Sequence, residues 1–99
     1  MRLAILAAVA SLFAAPALAQ DYPFVGEWDC EVATFVFTND VYNNGSEDLP
    51  IEEVQEGTDG TWTLMFADGY MITLGDITRK SMTWLSGESG DAFSCRKVN

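Results

Sequence analysis

Thr61-Trp62-Thr63-Leu64-Met65-Phe66-Ala67-Asp68-Gly69-Tyr70-Met71-Ile72-Thr73-Leu74 reads as two strands folded back on each other. Trp62, Leu64 and Phe66 alternate with Thr61, Thr63 and Met65, and Tyr70, Ile72 and Leu74 alternate with Met71 and Thr73. A period of two is what a sheet with one buried face requires. A two-residue Asp68-Gly69 turn sets Phe66 against Met71 and Leu64 against Thr73, which mixes the faces. A three-residue loop, Ala67-Asp68-Gly69, sets Phe66 against Tyr70, Leu64 against Ile72 and Trp62 against Leu74. Only that register gathers the apolar side chains on one face. It predicts a type I turn with a bulge, with Gly69 in the left-handed region that glycine enters freely. Gly90 lies in a later loop for which the pattern sets no such requirement.

Outward from this hairpin, turn residues recur every eight to twelve positions: Asn39-Asp40, Asn44-Gly45, Asp59-Gly60, Asp68-Gly69, Gly87 and Gly90. Short runs rich in Thr, Val, Ile and aromatics lie between them, the spacing of an antiparallel sandwich or barrel. In the first strand Trp28, Cys30 and Val32 face inward, and from Ala33 the phase reverses to Ala33, Phe35 and Phe37. A bulge or sharp bend near Val32-Ala33 reconciles the halves. The segment Leu49-Pro50-Ile51-Glu52-Glu53-Val54 fits either a strand or a helical turn, and is counted as a strand. The result is about eight short strands, 24–32, 33–38, 41–43, 51–56, 61–66, 70–74, 81–86 and 91–97. They form an all-β, antiparallel up-and-down meander. With an even count, first and last strands meet antiparallel and close the sheet into a barrel, removing the exposed edges that invite aggregation.

The ends of the chain set its compartment. Arg2, the apolar run Leu3–Phe13 and the small-x-small pattern Ala17-Leu18-Ala19 read as a cleavable signal peptide over residues 1–19. The run is too short to span the roughly 30 Å of hydrocarbon in a bilayer. Export to the periplasm or beyond leaves one small domain, residues 20–99, and no membrane attachment. Without Arg2 it holds four of the five basic residues against 15 acidic ones, a net charge near −11. Such a chain is repelled by phosphate backbones and anionic lipid, so nucleic acid is not an expected partner. A basic protein is favoured, although the same charge also serves plain solubility. Cys30 and Cys95 are expected to pair in an oxidising compartment, the alternative being two buried thiols. If they stand directly opposed, Trp28 faces Lys97 and Val32 faces Phe93.

Gly26-Glu27-Trp28 opening the first strand, with a late basic residue able to lie over that indole, resembles the lipocalin-type barrel. The resemblance implies that Gly26, Trp28 and Lys97 close one end of the barrel and that the interior holds a small apolar ligand. In so short a chain it also implies short strands and a small cavity. A small exported barrel with a terminal disulfide and an acidic surface is similar, too, to periplasmic inhibitors of C-type lysozyme, a strongly basic enzyme. The Ser-Gly-x-Arg-Tyr stretch of those inhibitors is replaced here by Ser89-Gly90-Asp91.

Chemistry has few candidates. With no histidine in the chain, Ser-His and Cys-His nucleophiles are absent. Glu52-Glu53 and Asp29 with Glu31 are carboxylate pairs of the kind that serve as acid and base, but on strands they read as solvent-facing charges. Asp40-x-Tyr42-x-Asn44-Gly45 is a poor calcium loop, with Tyr42 in place of the second ligand and Ile51 where the closing Glu belongs. Asn44-Gly45 reads better as a hairpin turn, and Asn44-Gly45-Ser46 is a glycosylation sequon. No metal or other cofactor is expected. Phe35, Phe37, Trp62, Phe66, Tyr70, Trp84 and Phe93 either line a ligand cavity or fill the core, and small barrels usually fill it. The expected function is non-enzymatic binding. The occupant is a small apolar ligand inside or a basic protein outside; the alternative is a structural envelope protein.

Overall fold

A computed structural model describes residues 20–98. The signal peptide predicted over residues 1–19 lies outside the described residues. Nine antiparallel strands follow one another: β1 (Gly26–Asp29), β2 (Thr34–Phe37), β3 (Val41–Asn43), β4 (Asp48–Pro50), β5 (Glu53–Glu56), β6 (Trp62–Met65), β7 (Met71–Gly75), β8 (Ser81–Ser86) and β9 (Ala92–Lys97). They form one sheet in the order β4-β3-β2-β1-β9-β8-β7-β6-β5, curled into a half-barrel. Apart from β1 with β9, each strand pairs only with its neighbours in sequence.

The deciding hairpin has the expected register, with Leu64 opposite Ile72 and Trp62 opposite Leu74. Leu64, Phe66, Ile72 and Leu74 are buried, while Thr63 and Thr73 share a hydroxyl–hydroxyl hydrogen bond of 3.4 Å on the other face. The turn differs from expectation. Asp68 (φ 65°) and Gly69 (φ 78°) are both left-handed, as in the primed turns whose twist matches that of paired strands. Aspartate tolerates this region better than most residues. Gly90 also sits at positive φ, 80°, so its loop makes the same demand as Gly69.

The phase reversal near Val32 is a full chain reversal rather than a bulge. β1 and β2 pair from Gly26↔Phe37 to Asp29↔Thr34, and the Cys30 N–H donates to the Ala33 carbonyl at 2.9 Å. Glu31 turns the chain with φ 69°. Val32 is therefore at a turn tip, 63% exposed, and not on the inner face. Trp28, Cys30, Phe35 and Phe37 keep their inward positions.

Nine strands replace eight because residues 48–56 divide between two partners. β4 pairs with β3 and β5 with β6. The handover takes two residues: Ile51 N–H donates to the Asp40 carbonyl and Glu52 N–H to the Met65 carbonyl, each at 2.8 Å. Pro50, with no N–H to give, ends the first ladder. Since β4 and β5 run in one direction, eight directional runs remain. β1 and β9 accordingly meet antiparallel, through Trp28↔Lys97 and Asp29↔Arg96. Cys30 and Cys95 stand opposite each other one step further on and form a disulfide. The free edges of β4 and β5 carry Pro50 and exposed carboxylates, devices that discourage edge pairing.

Candidate functional site

Three features are built by this frame: the interior, the β1–β9 junction, and an acidic rim around the β6–β7 turn. In the interior, alternation sends one side chain in two to the same space, and the aromatics occupy it. The rings run in contact from Phe93 to Trp84, Phe35, Tyr42, Phe37, Phe24, Trp62 and Tyr22, with centroid separations of 4.7–6.0 Å. A branch leaves Tyr42 for Phe66 and Tyr70. All seven aromatics expected to line or fill the barrel belong to this network. Leu64, Ile72, Leu74 and Met82 are buried with it. The sequence reading missed three members, Tyr22, Phe24 and Tyr42. Tyr42, expected in the 41–43 strand and otherwise only as a misfit in a calcium loop, is 1% exposed. Burial pushes its phenol well above the ordinary tyrosine pKa, and the neighbouring Tyr70 phenol adds to the rise while the Trp84 indole opposes it. That indole N–H lies buried without a partner at hydrogen-bonding geometry.

At the β1–β9 junction, Lys97 Nζ stands 5.0 Å from the centre of the Trp28 ring. The Trp28 Nε1–H donates to the Phe24 carbonyl at 2.9 Å, which fixes the indole plane under the ammonium. Gly26 (φ 140°) lies beside it, and a Cβ there would overlap the Lys97 Cε. The three residues predicted to close the barrel are thus brought together. One strand position away, Arg96 reaches Asp29 at 3.5 Å. Glu31 accepts the Ser94 N–H at 2.7 Å, Asp29 is engaged by Arg96, and Glu52 and Glu53 are exposed. Asn44 and Gly45 form the expected hairpin turn, in which Asn44 Oδ1 accepts the Ser46 and Glu47 N–H groups at 2.9 and 3.0 Å.

The acidic rim surrounds the β6–β7 turn. Two adjoining surface clefts, of about 370 and 270 Å³, share Gly69 and Met71. Glu52 and Glu53 line the first with Met65 and Phe66, and Asp68 and Glu88 line the second with Tyr70. The handover at Ile51–Glu52 places Glu53 opposite Met65, and so sets Glu52 and Glu53 in one cleft with Met65 and Met71; Met71 is 40% exposed. Nothing in the local sequence signals this meeting, because it depends on a partner switch in mid-segment. All 15 carboxylates of the chain are exposed.

No family model, curated protein or solved structure matches the chain. Its function is therefore argued from this geometry.

Proposed function

We propose that the chain is an exported, non-enzymatic binding protein that works through its acidic exterior, with a basic protein as its partner. One observation carries this reading: the two clefts around the β6–β7 turn combine an apolar floor of Met65, Phe66 and Met71 with a rim of four carboxylates. A desolvated apolar centre inside a polar rim is the usual anatomy of a protein interface, and a rim of one charge sign favours partners of the other and speeds encounter. The Trp28–Lys97 stack supports a lipocalin-like end closure. The aromatic network favours a filled interior over one holding an apolar guest.

The test is a titration of the purified protein with lysozyme, as a representative basic protein, at low and high ionic strength. Binding is expected to weaken by tenfold or more as salt screens the rim. Glu52→Gln together with Glu88→Gln should weaken it similarly at low salt, and Asp59→Asn, in the β5–β6 turn at the other end of β6 from the rim, should not. Affinity insensitive to salt, or equal loss from all three substitutions, would refute the assignment to this rim. Salt-independent quenching of tryptophan fluorescence by fatty acids would instead favour the interior as the site.

A further inference from the structure

The four basic residues of the described chain do not scatter among its carboxylates. Arg79 and Lys80 lie in the β7–β8 turn, and Arg96 and Lys97 end β9, yet all four line one open cleft of about 650 Å³ with Asp29 and Val98. The backbone brings the two pairs together: the Lys97 N–H donates to the Lys80 carbonyl at 2.8 Å, and Ser81 stands opposite Arg96. Thr78 Oγ1 accepts the Lys80 and Ser81 N–H groups at 3.1 and 2.9 Å, which sets the turn. With carboxylates in such excess, each cation would be expected to find a partner. Among the described residues only Arg96 has one, Asp29. Four cations thus line a cleft with a single carboxylate on its wall, and Asp76 is the other acid of that turn.

Like charges gathered at this density repel, and a multivalent anion relieves that repulsion better than a monovalent one. Guanidinium groups match the oxygens of a phosphoryl group two at a time, and lysine adds a point charge. Part of the arrangement is also held in advance of any ligand, since the Trp28 face holds Lys97 and the disulfide fixes β9 one residue before Arg96. The geometry points to an oxyanion site here: this cleft binds a dianionic phosphoryl group between Arg79, Lys80, Arg96 and Lys97. The site lies at the opposite end of β7 from the acidic rim and does not depend on what that rim binds. Its salt response should differ as well. Contact charges in the cleft are screened weakly, whereas the repulsion from distant carboxylates is lost beyond about 8 Å at physiological ionic strength.

Inorganic phosphate is titrated into the 15N-labelled protein while chloride keeps the ionic strength constant. Saturable shifts are expected at the amides of Lys80, Ser81, Lys97 and Val98. The Arg79→Gln, Lys80→Gln double variant should lose at least tenfold in affinity with its spectrum otherwise preserved, because both side chains are exposed. A second arm uses phosphatidylcholine vesicles with and without phosphatidic acid. Saturation by free phosphate assigns a soluble source of the group. Co-sedimentation with phosphatidic acid alone, abolished in the double variant, assigns a lipid headgroup. Shifts that grow linearly or survive the double variant, with no vesicle binding that depends on Arg79 and Lys80, would overturn the site.

Discussion

Replacing Cys30 and Cys95 together by alanine opens a loop spanning 65 residues. In the chain-entropy account of disulfides, closing a loop of that length stabilises the fold by about 4 kcal/mol. The rest of the junction is short: β1 and β9 pair through Trp28↔Lys97 and Asp29↔Arg96, and the one ion pair there is well exposed. Flanking this pairing, the Val98 N–H donates to the Glu27 carbonyl and the Ser94 N–H to the Glu31 carboxylate. A domain of this size has a total stability of roughly 4–12 kcal/mol. Each kcal/mol moves its melting temperature by about 4–8 °C, so the double variant should melt about 15–30 °C lower. Differential scanning calorimetry of the variant, and of the unaltered protein with and without reductant, checks this. The reductant arm matters because both sulfur atoms then remain in the core. A shift below about 5 °C in both experiments would refute the reasoning. It would mean that the β1–β9 ladder and the packing around Trp28 hold the barrel without the bridge.

Gly26→Ala should cost about 1–3 kcal/mol, the usual penalty for a side chain in a sparsely populated backbone region, with a further loss as Lys97 is pushed off Trp28. In a Lys97→Ala background the same substitution should cost less, and urea unfolding of the four proteins of that cycle measures the coupling; strictly additive effects would contradict the contact. Gly69→Ala and Gly90→Ala should destabilise alike, by about 1–2 kcal/mol each for a left-handed non-glycine residue, since an added Cβ meets nothing within 4 Å at either position. Unequal melting temperatures would place the strain in only one of the two loops.

Much of the fold was legible because alternation is a local signal. Leu64 against Ile72 follows from counting faces in a single hairpin, and Trp28 against Lys97 follows from opposing two cysteines. The Val32 region was misread because a phase reversal looks the same in one dimension whether a strand bulges or turns back. Glu31 at positive φ, which distinguishes the two, has no signature in residue type. Residues 49–56 were ambiguous for a related reason: Pro50 and Ile51 mark a change of hydrogen-bonding partner, and the partners lie at opposite ends of the sheet order. The aromatic core was largely predicted, but Tyr22 precedes the first predicted strand, and Phe24, although in phase with Trp28 at the start of the 24–32 run, lies before the regular strand that begins at Gly26. The meeting of Gly26, Trp28 and Lys97 was expected from the resemblance to lipocalin-type barrels, and the three residues do lie together. Both surface clefts escaped the reading, since each assembles charges from segments distant in the chain.

The handover at Ile51–Glu52 also divides the architecture in a way that bears on how it is assembled. Strands β1–β4 make their ladders within residues 26–50, and β5–β9 make theirs within residues 53–97, with β1–β9 the one strand pairing between the halves. Each half can therefore zip up hairpin by hairpin from short-range contacts, the kind that form fastest. Docking of the halves, and pairing of Cys30 with Cys95, depends on contacts of much longer sequence separation, the kind that form more slowly. A single proteolytic nick between Ile51 and Glu52 would sever the backbone at the only covalent link apart from the disulfide. The two fragments would stay tethered at the far side of the sheet, and fragment complementation would be the natural way to reassemble them.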